Sequence, residues 1–322
     1  MSDLVSIVIV NWNGQTWLKK CLDSLRQQTY PNREIIFVDN ASVDGSVKFV
    51  KENYPEVQIV QSEINRGFAG GNNLGIAQAH GEYVMLLNND TWVEADFVEK
   101  MMDGLARNDL DVIGPQEADY ESARVYTHRI QIDSFGHPIN VSEHEAGGND
   151  FFLSGVCLLF KKKIYEETGG LDNDFFMYFE ETDWFWRLHL LKKKTGRLDG
   201  VRVCHAGSGS TGTGVKYNTF LWRNQNELQM LLKNYGIISL LWALPVYFFQ
   251  NLAEIFLFLV LLKPRISLSY VQGWWYNIAH IKRTIEKRRW VQKQRMIKDE
   301  EIRKKMYHGL GKLRHLITFI KR

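Results

Sequence analysis

Tyr83-Val84-Met85-Leu86-Leu87-Asn88-Asn89-Asp90 decides how the rest of the chain is read. Five apolar or aromatic residues in a row suit a buried strand and are too few for a free-standing helix. The run stops abruptly at two amides and a carboxylate. In an open α/β sheet, ligands bind just beyond the carboxyl ends of the strands. A carboxylate delivered there can hold a hard divalent cation, and that cation can hold a diphosphate. Alternatively, Asp90 caps a helix that starts near Glu94.

Working outward, strand and helix periods alternate through the first 115 residues. Strands are expected over 4–10, 34–38, 57–60, 83–87 and 111–114, and helices over 15–28, 45–53, 69–79 and 94–107. This alternation predicts an α/β fold, a mostly parallel sheet with helices on both faces. Residues 116–150 are polar, rich in His, Gly and Asn, and without clear period. A loop of that length inside a compact domain is usually functional, here an excursion over the active face. A strand over 151–160 and a helix over 161–168 follow. A second helix is expected from Glu180, with acids in its first turn, and Asp183 and Arg187 are spaced to pair. A strand over 200–204 ends in His205, and Gly207–Gly212 is mobile by composition.

The 322 residues carry 45% apolar and 24% charged side chains, enough for a real core. Net charge is +3, but residues 279–322 hold 15 Lys or Arg against 4 acids, a net of +11. An acidic body with a basic tail points to an anionic partner, phospholipid or nucleic acid. No nucleic-acid recognition motif accompanies the tail, so lipid is expected. Cys21, Cys157 and Cys204 show no metal or disulfide spacing, which predicts a reducing compartment. The apolar run 4–10 is too short and lacks the basic flank of a secretory signal, so the body is expected in the cytoplasm. Residues 237–262 are interrupted only by Ser239, Pro245, Gln250, Asn251 and Glu254. Glu254 at the centre of a span would cost roughly 2.5–3.5 kcal/mol. An in-plane or re-entrant helix pair broken at Pro245 is therefore expected ahead of a true span, with Trp242, Trp274, Trp275 and Trp290 at the interface. The division expected is 1–215, catalytic, and 216–322, helical and membrane-associating.

Four clusters fall at inferred strand ends. Asn11-Trp12-Asn13-Gly14 is the first. In Val38-Asp39-Asn40-Ala41-Ser42-Val43-Asp44-Gly45-Ser46, Asp39 could accept the N–H of a pyrimidine or simply shape a turn. Asn65-Arg66-Gly67-Phe68-Ala69-Gly70-Gly71-Asn72-Asn73 joins glycines that admit a ligand to a helix start and to the Arg66 fork, which suits phosphate. Asn88-Asn89-Asp90 is the fourth, and His205 at another strand end could join Asp90 on one metal. Glu181, after an aromatic run, has the desolvated surroundings that raise a carboxyl towards general-base duty. It could also be an ordinary acid at a helix start.

In this order the motifs Val-Ser-Ile-Val-Ile-Val-Asn-Trp-Asn-Gly, Val-Asp-Asn-Ala-Ser-Val-Asp-Gly-Ser, Asn-Arg-Gly-Phe-Ala-Gly-Gly-Asn-Asn, Leu-Leu-Asn-Asn-Asp and Phe-Phe-Met-Tyr-Phe-Glu-Glu-Thr-Asp-Trp resemble the inverting family 2 glycosyltransferases. The resemblance covers roughly residues 4–210 and is nearest to the rhamnosyltransferase-type members. It implies the GT-A fold and a nucleotide-diphosphate sugar donor, dTDP-rhamnose first, then a UDP-hexose or UDP-N-acetylhexosamine. Asn11, Asp39, Asn65, Arg66, Gly67, Asn73 and Asn89 would bind the donor. Asp90, last in the metal motif, would hold Mg²⁺ or Mn²⁺ with His205. Glu181 would be the base, with Glu180 as fallback and Asp183 beside them. Trp184 and Trp186 could stack on acceptor sugars or belong to the core. Asn88 stands where the metal motif usually has its first Asp, and Glu181 where the family usually has Asp. The acceptor implied is a lipid-linked saccharide at the cytoplasmic face of the membrane. A rival class is a non-catalytic sugar-nucleotide-binding subunit of a membrane assembly complex.

Overall fold

The computed structural model describes residues 2–147, 149–207 and 216–314. In chain order the elements are β1 (Val5–Asn11), α1 (Gln15–Arg26), β2 (Arg33–Asp39), α2 (Ser46–Asn53), β3 (Gln58–Gln61), α3 (Gly67–Gln78), β4 (Tyr83–Leu87), β5 (Thr91–Val93), α4 (Phe97–Arg107) and β6 (Val112–Asp119). They continue with β7 (Arg129–Ile132), β8 (Pro138–Val141), β9 (Cys157–Lys161), α5 (Lys162–Glu167), α6 (Glu180–Leu190) and β10 (Thr195–His205). The last five are α7 (Tyr217–Asn234), α8 (Ile237–Val260), α9 (Pro264–Ala279), α10 (Ile281–Gln294) and α11 (Asp299–Arg303).

Two compact units share the chain. The first takes Met1–Thr127, Leu153–Phe176 and Lys193–Thr213; the second takes His128–Phe152, Met177–Lys192 and Gly214–Arg322. The segments 128–152 and 177–192, expected inside the amino-terminal domain, thus pack with the helical second unit.

In the first unit an eight-stranded sheet runs β3-β2-β1-β4-β9-β6-β10-β5. Its strands β1, β2, β4 and β9 read as largely apolar runs because both faces are covered there. Helix α1 buries Leu18, Cys21, Leu22 and Leu25, and α4 buries Phe97, Val98, Met101 and Leu105, each at helical spacing. β1 pairs parallel with both β2 and β4, so Asn11, Asp39 and the end of β4 emerge at one edge. β9 is antiparallel to β4 and to β6, and these two reversals return β6 and its parallel partner β10 to the direction of β4. His205, the last residue of β10, therefore emerges at the edge where β4 ends.

Several expectations change. Helix α4 starts at Phe97 with Asp96 at its N-cap, so Asp90 is not a cap; Thr91–Val93 instead pairs antiparallel with β10. The strand expected over 151–160 begins only at Cys157, because Phe151 donates its N–H to Ile130 O and joins the second unit. The stretch 116–150 contains the end of β6 and the antiparallel hairpin β7–β8. The mobile segment read from Gly207–Gly212 lies almost wholly outside the described residues, as does the tail beyond residue 314.

The second unit holds that hairpin with α6 to α11. Helix α8 runs unbroken through Pro245, which corrects the helix pair expected there. Proline removes one backbone donor and crowds the carbonyl four residues back, and the helix continues past it with Leu240 and Ala243 buried on one side and Tyr247 and Asn251 on the other. Its buried stripe is Leu240, Ala243, Tyr247 and Asn251. Lys312 Nζ bonds Asn251 Oδ1 at 2.5 Å and Glu254 Oε2 at 3.1 Å, so these two polar residues of α8 are answered from inside the unit. The opposite stripe of Ile238, Leu241, Phe249, Leu252 and Phe256 is exposed, as is Leu268, Val271, Trp275 and Ile278 along α9.

Candidate functional site

Paired register and short polar contacts build the strand-end cluster of the first unit. Asn11 is opposite Asp39 across β1 and β2, and both side chains are buried. Asn89 Nδ2 donates to Asn11 Oδ1 at 2.6 Å, and Asn11 Nδ2 donates to Ser42 Oγ at 3.1 Å. A Cβ on Gly14 would lie 2.2 Å from Asn89 Nδ2 and 2.7 Å from Asn11 Oδ1, so only glycine admits this approach. The Asp39 carboxylate receives the Ser42 N–H.

Asn40, which motif reading passed over, ties this edge to the next loop. Its Nδ2 donates to Asn65 Oδ1 and Gly67 O, each at 3.0 Å, and its Oδ1 accepts the Arg66 N–H at 2.9 Å. Arg66 stays exposed, with Nε on Ser62 Oγ. Gly67 has φ of +70°, and a Cβ there would meet Phe176 O at 2.0 Å. Asn73 has a different employment from the donor contact expected. Its Nδ2 bonds Leu171 O and Asn173 Oδ1, and its Oδ1 accepts from the Tyr165 hydroxyl, so the amide pins the 171–173 loop.

Asp90 and His205 come together as expected. His205 Nε2 lies 3.3 Å from Asp90 Oδ1, and its Nδ1 lies 3.5 Å from Glu117 Oε2. Burial would lower the imidazole pKa, but hydrogen bonds to both carboxylates outweigh burial and raise it to about 9. Two donors on one octahedral Mg²⁺ or Mn²⁺ at roughly 2.1 Å each lie roughly 3 Å apart, which the Asp90–His205 separation fits. Carboxylate with imidazole is also a donor set suited to Mn²⁺. Among the described residues no three His, Cys, Asp or Glu side chains form a ready-made cage. An ion here would take its remaining ligands from donor and water. Glu117 was missed because β6 continues past Gly114, where the strand was expected to end.

The acidic cluster belongs to the second unit. Tyr178 and Phe179 both have φ of +71°, a strained pair immediately before α6. Asn226 Nδ2 holds that turn through Met177 O (3.0 Å) and Tyr178 O (2.8 Å). Glu180 is buried, and burial first, then the charge of Glu181, pushes its carboxyl well above the usual range. Glu181, where desolvation was expected, is partly buried as a residue, with its Oε2 out of solvent. Asp183, grouped with the catalytic acids on sequence grounds, has no exposed surface. It takes Arg187 Nη2 and Lys233 Nζ at 3.0 Å and Asn234 Nδ2 at 2.9 Å. These contacts make it a structural anchor of α6. Trp184 and Trp186 are likewise fully buried, and Trp186 packs edge-on against Phe151 and Tyr235. Stacking on an acceptor sugar is thereby corrected to core packing.

Comparison with known proteins agrees with this geometry. The chain is 31% identical over 192 residues to a poly-beta-1,6-N-acetyl-D-glucosamine synthase of Staphylococcus epidermidis, covering 58% of this chain and 46% of the synthase. It is 25% identical over 246 residues to an N-acetylglucosaminyl-diphospho-decaprenol L-rhamnosyltransferase of Mycobacterium tuberculosis, covering 66% and 79%. The chain spans 26% and 60% of the length of two glycosyltransferases of Streptococcus pneumoniae that it also matches. The crystal structure of GalNAc-T7 with UDP, GalNAc and Mn²⁺ superposes with a TM-score of 0.61 at 15% identity, over 74% of this chain and 49% of that one, a likeness of fold. A glycosyl transferase family 2 profile matches residues 6–169, just over half of the chain. Strand order, strand-end residues and profile agree, and the chain belongs to glycosyl transferase family 2.

Proposed function

We propose that the protein is a metal-dependent inverting glycosyltransferase that moves a sugar from a nucleotide diphosphate donor to an acceptor hydroxyl. The observation that carries this reading is the Asp90–His205 pair at the strand edge that also bears Asn11, Asp39 and Asn89. Asp39 and Asn11 bind the base and ribose, and Arg66 faces the phosphates. Asp90 and His205 hold Mg²⁺ or Mn²⁺, with Glu117 fixing the imidazole through Nδ1. The ion, when bound, neutralises charge developing on the departing diphosphate.

Glu181 is the base. Glu181 is the more accessible member of the acidic pair, whereas burial, then the charge of Glu181, raises the carboxyl of Glu180. The acceptor oxygen attacks the anomeric carbon, the bond to the diphosphate breaks with its electron pair, and the acceptor proton passes to Glu181. Replacing Glu181 by Gln should lower turnover by roughly 10²–10⁴ while donor binding persists. Unchanged turnover in Glu181→Gln would favour the rival reading, a sugar-nucleotide-binding subunit without catalysis.

The donor we favour is dTDP-rhamnose and the acceptor a polyprenyl-linked saccharide, supported by the rhamnosyltransferase whose length this chain matches over 79%. UDP-N-acetylhexosamine is the second reading, supported by the 31% identity to the N-acetylglucosamine synthase. The enzyme works on the cytoplasmic face of a membrane. Helix α8 is long and apolar enough to cross a bilayer, but only 22% of its most apolar window is buried. Its Asn251 and Glu254 face Lys312, so an in-plane seat on the α8 and α9 apolar stripes, flanked by basic α10, accounts for both faces.

A further inference from the structure

The second unit has a cleft of about 510 Å³ at the amino end of α8, lined by Ile237, Ile238, Ser239 and Trp242 and by residues around α11. A volume of this order accommodates a small ligand or headgroup (roughly 300–1,000 Å³). We propose that this cleft binds the phosphate headgroup of an anionic phospholipid and thereby fixes where the seat engages the bilayer. The proposal rests on the membrane reading above and adds a specific headgroup contact to it.

Arg303 carries the argument. Its Nη1 donates to Ser239 Oγ at 3.0 Å, and its guanidinium lies 5.4 Å from the Trp242 ring centroid. These two contacts hold the fork in place without neutralising it, since no carboxylate lies within ion-pair reach of Arg303 among the described residues. Lys298, exposed on the same cleft, has no carboxylate partner there either. The acids of the cleft do not cancel this charge. Asp299 is occupied by Arg295 Nη2 at 2.5 Å and by the Gly236 N–H at 2.8 Å. Glu300 is exposed on the same cleft, and with it counted the lining still holds three cations (Arg295, Lys298, Arg303) against two acids, a net of +1. A pre-oriented guanidinium with unused donors matches a phosphate monoanion in charge and geometry.

Continuity with the apolar stripe selects lipid over a free anion. Ile238 lines the cleft and also begins the exposed stripe that runs through Leu241, Phe249, Leu252 and Phe256. Ile237 and Met296, on the cleft wall, are also largely exposed. A headgroup bound at Arg303 would therefore continue as acyl chain along a surface already apolar. Trp242, one-third exposed between them, is the residue type that sits at the headgroup level.

The test is flotation of the full-length protein with vesicles of phosphatidylcholine alone or mixed with phosphatidylglycerol, comparing wild type with Arg303→Gln/Lys298→Gln. Wild type should prefer the anionic vesicles, and the double variant should lose roughly tenfold of that preference while its binding to phosphatidylcholine is unchanged. Arg303→Lys should retain part of it. An undiminished preference in the double variant would overturn the proposal and leave the seat standing, with the basic face of α10 as the reader of charge. Equal loss on both vesicles would make the two residues structural and also overturn it. Abolition of the preference by inorganic phosphate at constant ionic strength would assign the cleft to a soluble anion instead. Failure of wild type to float with either vesicle would remove the membrane reading itself.

Discussion

His205 is held from both sides, by Asp90 at Nε2 and by Glu117 at Nδ1. A ligating imidazole whose other nitrogen donates to a carboxylate is fixed in tautomer and orientation, and loss of such a partner typically weakens metal binding 10–100-fold, roughly. Glu117→Gln should accordingly lower Mn²⁺ affinity by about that factor in the presence of nucleoside diphosphate, read by electron paramagnetic resonance, with the melting temperature unchanged. Unchanged affinity would reduce Glu117 to a bystander. Asp90 and His205 could be singled out because Asp90 ends the polar run that stops the apolar strand β4, and His205 ends β10 before a Gly/Ser-rich stretch. Glu117 was not, since nothing in Pro115-Gln116-Glu117-Ala118 distinguishes a residue that faces His205 from one that faces water. Trp184 and Trp186 show the converse. Aromatics beside catalytic acids are equally consistent with sugar stacking and with a core, and only burial separates the two.

The α6 helix depends on residues far away in sequence. The left-handed pair Tyr178–Phe179 costs roughly 1–3 kcal/mol per residue, and Asn226 on α7 answers the carbonyls that this turn turns inward. Asn226→Leu should destabilise the second unit by about 1–3 kcal/mol and lower kcat with little change in donor KM. A drop in donor affinity alone would contradict that assignment. The same unit buries two neutral histidines. Burial first lowers His137 to about 4 despite its bond to Glu227, and burial with the charge of Lys305 lowers His189 to about 4. Because both pKa values fall on folding, their stabilising effect is complete above pH 6.5 and lost as pH drops towards 4. Unfolding free energy should fall by about 2 kcal/mol per histidine between pH 7 and pH 5, and His189→Gln should remove its share. Near-ultraviolet dichroism of the buried indoles would follow the transition, and a flat profile over that range would contradict it. Element types in the first unit were legible from alternating periods. The hairpin β7–β8 and the unbroken α8 were not: the hairpin strands are too short and polar to show a period, and the local proline signal at Pro245 does not reveal that residues on both sides of it pack into the same unit.

At the scale of the molecule, linear order and packing disagree. Segments 128–152 and 177–192 interrupt the sheet-forming chain yet pack with the helical unit, so the acidic cluster and the strand-end cluster belong to different units. Periodicity reports which elements form along a chain but carries no information about which distant element each will pack against. Family resemblance bridged that gap for the fold, whereas the boundary near residue 215 followed a change in composition. The basic carboxyl-terminal third predicts salt-sensitive membrane attachment, with the apolar stripes supplying a remainder that survives high salt. Vesicle binding measured at low and high ionic strength checks this; complete release at high salt would contradict an apolar seat.

The most direct test of the central claim is nucleotide release from dTDP-, UDP- and GDP-sugars in the presence of a lipid-linked saccharide acceptor, with Mn²⁺ or with chelator. The account predicts turnover of one donor class that chelation abolishes and that His205→Ala and Asp90→Ala each reduce severely. Metal-independent turnover, or no consumption of any donor under any metal condition, would contradict it.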